Sequence, residues 1–279
     1  MQALDQLKTQ LCDVIETPKL TQEEFDKVKK NYKIVLMAGG ESSRFKEVPG
    51  STATNKSAFT LPNGDTMIEM TIRMYAEAGL KDFLILVYHH ASSIIDLLGS
   101  GDKYGVNIDY CFDPEKPVGK GGAIRNAYEK GHLKKEEKFI VHNPDDVILN
   151  YSGSFPLDII SAHEYAESKG CESTVVNVLE TPHQYTGMMI EKGFVTEVVM
   201  YPMLPIPIHT GITLFSNKVF ERFKIFSYDK PTDFEKILFP ILSNERKLFA
   251  IAIPTGSWIA VNNLKSYKEL IKKLNLEEK

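Results

Sequence analysis

KIVLMAGGESSRF, residues 33–45, is an apolar run that ends abruptly in two glycines, an acid, two serines and an arginine. The block IVLMA at 34–38 has no polar face and the length of a strand, so it reads as a strand buried on both sides. A glycine turn at the carboxyl end of such a strand lets successive backbone N–H groups converge on an anion, and Arg44 adds a charge-assisted fork for phosphate. The segment lacks the G-K-[ST] of a Walker loop and the G-x-G-x-x-G of a dinucleotide site. Taken alone, Gly39-Gly40 is equally compatible with a plain tight turn and a solvated arginine.

Outward from this strand the same pattern repeats. Helical segments at 67–78, 91–98 and 122–130 alternate with apolar blocks FLILV at 83–87, VNIDYCF at 106–112 and FIVH at 139–142. This alternation predicts an α/β fold with a Rossmann-like, doubly wound, mainly parallel sheet and helices on both faces. Beyond residue 150 a helix at 157–169 and strands at 172–179, 186–191 and 194–200, the last two joined by Lys192-Gly193, predict a small α+β elaboration. YPMLPIPIH at 201–209 holds three prolines and is expected to run as a loop over the surface or close a pocket. LKSYKELIKKL near the end reads as an amphipathic helix with a solvated lysine face.

Before the first strand, Leu4, Leu7, Leu11, Val14 and Ile15 give one apolar helical stripe that Pro18 stops, and Thr21 with Glu24 opens a second helix toward Asn31. Residues 1–31 are therefore expected to form a helical prefix, a candidate surface for packing or homo-oligomerisation. Residues 32–279 form the α/β domain, in halves of about 32–150 and 151–279.

With 279 residues, 43% hydrophobic and 25% charged, the chain suits an ordinary globular core and excludes collagen-like and wholly disordered classes. A formal charge of -4 supplies no global positive field for a nucleic-acid backbone. No apolar run approaches the ~18 residues of a membrane span. Cys12, Cys111 and Cys171 are isolated and odd in number, which argues against a disulfide framework and fits a reducing cytoplasm.

Three further segments carry chemistry. Lys56 lies in the polar loop GSTATNKS, from which an ammonium could reach the phosphates held by residues 38–44. In KFIVHNPDDVIL, residues 138–149, a strand ends at Asn143-Pro144-Asp145-Asp146, and carboxylates there suit a hard divalent cation such as Mg²⁺. The alternative is an Asx-type turn in which these side chains satisfy local backbone. Pro117-Val118-Gly119-Lys120-Gly121-Gly122-Ala123 opens a helix and would admit a flat base or ribose, or simply keep the helix entry small. His89-His90 reads as a polar loop.

In their order, these segments resemble the nucleotidyltransferase family that includes sugar-1-phosphate nucleotidyltransferases and the related molybdenum-cofactor guanylyltransferases. The matches are LMAGGESSRF with Asn55-Lys56, the glycine-helix motif Val118–Ala123, and Asn143-Pro144-Asp145. Echoes follow in Tyr185-Thr186-Gly187, His209-Thr210-Gly211-Ile212 and Trp258-Ile259-Ala260-Val261-Asn262. The resemblance implies attack by an acceptor phosphate on the α-phosphorus of a nucleoside triphosphate, with Mg²⁺ as cofactor and release of pyrophosphate. It implies Arg44, Lys56 and Asp145 as catalytic groups, and Asp145, Asp146 and Asn262 as metal ligands. Ala38, Gly39, Gly40, Glu41, Ser42, Ser43, Gly119, Gly121 and Gly122 would line the nucleotide, and Tyr185, Gly187, His209 and Thr210 the acceptor, most simply a sugar 1-phosphate.

Three departures stand out. The loop spacing Gly-Gly-x-x-x-Arg matches the guanylyltransferase branch. Met200-Tyr201-Pro202 stands where sugar enzymes carry Glu-Lys-Pro, and Ala260 stands where a second metal-binding Asp is usual. These departures keep open a non-sugar phosphate acceptor and a catalytically weak, nucleotide-sugar-binding regulator.

Overall fold

The computed structural model describes residues 11–276. In chain order the helices are α1 (Gln22–Val28), α2 (Met67–Glu77), α3 (Ala91–Leu98), α4 (Gly119–Glu129), α5 (Phe155–Ser168), α6 (Phe220–Phe223), α7 (Phe234–Asn244) and α8 (Leu264–Lys273). The strands are β1 (Tyr32–Ala38), β2 (Asp82–Val87), β3 (Asn107–Phe112), β4 (Lys138–His142), β5 (Asp146–Ile148), β6 (Ser173–Val178), β7 (Thr181–Pro182), β8 (Gly187–Glu191), β9 (Phe194–Val199), β10 (Met203–Leu204), β11 (Ile208–Phe215), β12 (Leu248–Ile253) and β13 (Trp258–Ala260).

Seven of these strands form one sheet in the order β12-β6-β11-β4-β1-β2-β3. β1 runs parallel to β2 and β4, β2 to β3, and β12 to β6, while β11 is antiparallel to both β4 and β6. The sheet is thus mainly parallel and mixed, as expected. Alternation along β1 explains the layers: Ile34, Leu36 and Ala38 face one core with α2, α3 and α5, and Val35 faces a second with α4, α6 and α7. Both faces are covered, which is why IVLMA carries no polar face.

β2 and β4 flank β1, so the chain reverses direction of winding between β1 and β4. Crevices open at the carboxyl ends of strands at such a switch point. A third apolar cluster closes over that end: Phe45, Val48, Met67, Val147, Ile259, Val261, Leu270 and Ile271 are all buried in it. It joins the loop after β1, the ribbon β5–β13 and α8.

Several expectations need correction. Leu4 and Leu7 of the expected stripe lie outside the described residues; within them Leu11 is helical and residues 12–20 have no regular structure. The second helix forms as α1, with the Thr21–Glu24 capping box and Phe25 buried. Residues 201–209 are not all loop, because β11 begins at Ile208. The helix expected at 122–130 starts at Gly119, which places its glycines inside the first turns.

Candidate active site

The loop after β1 and the loop after β4 meet in one crevice of about 530 Å³, lined by residues 37–40, 42–44 and 55–57, by Asp113, Lys120, Asn143, Asp145, Asp146 and Asp233, and by Asn262. The Lys56 ammonium forms an ion pair with Asp145 and donates to Asn262 Oδ1 at 3.2 Å. Arg44 Nη2 approaches the same Asn262 oxygen at 3.5 Å. Arg44, Lys56, Asp145 and Asn262, separated by up to 218 positions in sequence, therefore converge on one point.

Local structure explains the convergence. Asn55 is buried; its amide donates to Ala38 O at 2.8 Å and His89 O at 3.1 Å, and its Oδ1 accepts from Ser57 N at 2.9 Å. This clip ties the end of β1 to the turn that carries Lys56. Across the crevice, β13 pairs antiparallel with β5, placing Ala260 opposite Asp146, and Val261 N donates to Asp145 O at 2.8 Å. Asn262 is held in turn by its own N–H donating to Ser266 Oγ at 2.8 Å. Phe45, Val147 and Val261, the apolar neighbours of Arg44, Asp146 and Asn262, share the third cluster, so one packed core fixes all three.

Asp145 and Asp146 differ sharply. Asp146 is buried, with Oδ2 accepting from Asn143 Nδ2 at 2.9 Å and Oδ1 from Trp258 Nε1 at 3.1 Å. Burial, and then the neighbouring charge of Asp145, push its carboxyl well above the usual carboxylate range. Asp146 reads as the brace of the loop. Its backbone O accepts from His142 Nε2 at 2.8 Å, while His142 Nδ1 faces Tyr75 Oη at 3.1 Å; burial holds this imidazole neutral, down to about 4. Gly211 completes the brace. Its φ is +75°, and a Cβ there would stand 2.0 Å from Asp146 Oδ2 and 2.4 Å from Asn143 Nδ2.

Beside Lys56, the Asp145 carboxylate and the Asn262 amide oxygen are hard oxygen ligands. Among the described residues no trio of His, Cys, Asp or Glu side chains converges. A set of one carboxylate and one amide suits a cation that keeps water and phosphate oxygens in its shell, as Mg²⁺ does.

Ala38, Gly39, Gly40, Ser42, Ser43 and Gly119 line the crevice as the sequence suggests. Glu41 does not: it is exposed and pairs with Lys46 at 3.0 Å. Gly121 and Gly122 face protein instead of ligand, since a Cβ on Gly121 would meet the Phe226 ring at 2.3 Å and one on Gly122 would meet Val118 at 2.8 Å. Of the four acceptor candidates, none lines this crevice. Thr210 is buried with Oγ1 donating to Val176 O, and His209 Nε2 is engaged with Ile212 O and Thr213 Oγ1 inside β11. Tyr185 is 71% exposed, and Gly187 packs on Pro202.

Sequence reasoning passed over Asn143, Asn55, Asp113, Lys120 and Asp233 as individual site residues. Asp113 follows β3 as Asp145 follows β4, and the same strand-end logic finds it. Burial raises its carboxyl above the ordinary range although Oδ2 accepts from Val118 N at 3.2 Å.

Residues 33–277 match the nucleotidyl transferase family. This chain belongs to that family. It is 28% identical over 241 residues to a rice (Oryza sativa) protein named "Probable mannose-1-phosphate guanylyltransferase 2", covering 84% of this chain and 62% of the relative. It is 27% identical over 242 residues to the mannose-1-phosphate guanyltransferase of Saccharomyces cerevisiae, with the same coverage. The chain thus spans about 62% of the length of these curated relatives. Among solved structures, HddC from Yersinia pseudotuberculosis superposes with a TM-score of 0.61 at 23% identity, over 87% of this chain and 99% of that one. The fold of this nucleotidyl transferase family member is accordingly the Rossmann-like one that its sequence pattern predicts. Among the described residues no helix is long and apolar enough to cross a membrane.

Proposed function

We propose that the chain transfers a nucleoside monophosphate from a nucleoside triphosphate to a phosphorylated small molecule, a sugar 1-phosphate, and releases pyrophosphate. The observation that carries this reading is the meeting of Arg44, Lys56, Asp145 and Asn262 beside the glycine loop in one crevice. The names of the relatives favour a sugar 1-phosphate as acceptor and leave the nucleobase to be measured.

An oxygen of the acceptor phosphate attacks the α-phosphorus, a new P–O bond forms, and the bond from the α-phosphorus to the bridging oxygen breaks with its electron pair leaving on pyrophosphate. The attacking oxygen is already anionic, so no general base is required, and the barrier is dominated by repulsion between two anions. Backbone N–H groups near Gly39 and Gly40 orient the triphosphate, while Arg44 and Lys56 offset its charge and that of the departing pyrophosphate. Asp145 and Asn262 would hold Mg²⁺, which supplies further neutralisation of phosphate charge when bound. Lys56, paired with Asp145 in this structure, would turn its ammonium to phosphate where Asp145 holds the cation. In this reading residues 32–150 serve the nucleotide and 151–279 the acceptor, and the chain works in the cytoplasm.

A panel of the four common triphosphates with Mg²⁺, against mannose 1-phosphate, glucose 1-phosphate and non-sugar phosphates, tests the reading by pyrophosphate release. Release with one triphosphate and a sugar 1-phosphate is expected. Ala260, opposite Asp146 in the β5–β13 ladder, carries no carboxylate that could complete a second ligand, which favours the regulator as second reading. Triphosphate binding with no pyrophosphate release across the whole panel would establish that alternative.

A further inference from the structure

The crevice must bring two anions together, yet its charges are unevenly spread. Arg44 and Lys56 stand with the glycine loop and are turned to Asn262 and Asp145. The remaining polar walls present Asp113, Asp146 and Asp233, which offer a phosphate no positive charge. Lys120 is the other lysine among the described lining residues, and it sits in the first turn of α4.

Its backbone is clamped, whereas its head is held by a single carboxylate oxygen. Lys120 N donates to Asp233 Oδ1 at 3.3 Å and Gly121 N to Thr232 O at 3.1 Å. Gly119, at φ +73°, lies so close to Thr232 that a Cβ would meet its nitrogen at 2.5 Å. The start of α4 is therefore locked against the start of α7. Lys120 Nζ lies 5.8 Å from the Phe234 ring centroid and donates to Glu235 Oε1. Among the described residues Glu235 is its one hydrogen-bond acceptor, which leaves two of three ammonium N–H groups for a ligand. Glu235 Oε2 is buried without a partner, so the carboxylate holds the lysine by one oxygen only.

We propose that Lys120, which lines the same crevice as Arg44 and Lys56, receives the phosphate of the acceptor, with Glu235 positioning its ammonium. This deepens the nucleotidyl-transfer reading and rests on it. It also explains how the chain manages with Met200-Tyr201-Pro202 in the acceptor half: both Met200 and Tyr201 are exposed and carry no cation. The competing role is a purely structural tie between α4 and α7.

The full chain distinguishes the two through Lys120→Met, which keeps the stem and removes the charge, and Lys120→Arg, which keeps the charge. Loss of a charge-assisted phosphate contact is expected to raise the acceptor KM about tenfold to hundredfold in Lys120→Met, with the triphosphate KM and the melting temperature little changed. Lys120→Arg should restore the acceptor KM to within about threefold of wild type. An unchanged acceptor KM, or an equal rise in both KM values, overturns the assignment. If wild type releases no pyrophosphate, the nucleotidyl-transfer reading fails on its own, and Lys120 is then judged by equilibrium binding of mannose 1-phosphate. Binding weakened at least about tenfold in Lys120→Met would still support the contact. Equal binding by both proteins, or none by wild type, would refute it.

Discussion

The phosphate end of the crevice and the ribbon region 181–206 are built on opposite principles. Around Arg44, Lys56, Asp145 and Asn262, buried polar groups such as Asn55, Asp146 and His142 each have named partners, and one apolar cluster underlies three separate segments. In the ribbon, among the described residues, β8 pairs only with β9 and β7 only with β10, and large apolar side chains stand in the open, with Phe194 77% and Ile190 67% exposed. A two-stranded ribbon with little packing beneath it is marginal by itself. The polar groups proposed to handle phosphate are held in place by their neighbours, whereas residues such as Tyr185 do not line the crevice.

Substitutions can break this comparison at its strongest point. Gly211→Ala drives a methyl into the Asp146–Asn143 brace from a left-handed backbone. It is expected to cost about 2–4 kcal/mol and lower the melting temperature by roughly 5–15 °C, with loss of activity. A melting temperature unchanged in a thermal scan would show that the brace yields freely and is not preorganised.

A smaller effect is expected from pH. Burial holds His142 and His209 down at about 4 and His163 at about 3. Their stabilising contribution is fully present above the ordinary histidine value of 6.5 and is lost as pH falls toward these folded values, because the unfolded chain then binds more protons. Asp146, shifted upward, contributes with the opposite sign, so His163, far from the brace on α5, gives the cleaner readout. Melting curves between pH 7 and 4.5 should show His163→Gln losing less stability on acidification than wild type, by on the order of 1–3 kcal/mol. Parallel curves would remove His163 as a source of the acid limb.

The ribbon should respond least. Phe194→Ser is expected to change stability by no more than about 0.5 kcal/mol. A clear drop in melting temperature would mean that this face is covered in solution, and the contrast between the two regions would narrow.

Much of the phosphate end was legible because its signals are local. The run IVLMA followed by Gly39-Gly40 and Arg44 states a buried strand and its loop within thirteen residues, and FIVH followed by Asn143-Pro144-Asp145 does the same for β4. Pairing of β5 with β13 was not legible. Each has three residues, too few to show a period, and they join positions 112 apart through the Trp258–Asp146 bond. For the same reason Asp145 and Asp146 looked interchangeable as ligands, and only the distant Trp258 and Gly211 assign Asp146 to the brace. The glycines of α4 carried an ambiguous message: a bare Cα invites a ligand or a neighbouring ring, and Phe226 occupies the space beside Gly121. Antiparallel β11 was hidden by the prolines before it.

The central claim is that Asp145, with Lys56, Arg44 and Asn262, forms the phosphate-handling centre of a nucleotidyl transferase. Steady-state pyrophosphate release by Asp145→Ala, read beside its melting temperature, tests this most directly. Turnover is expected to fall at least about 100-fold with the fold retained. Turnover within about threefold of wild type, in a variant that melts normally, would contradict it.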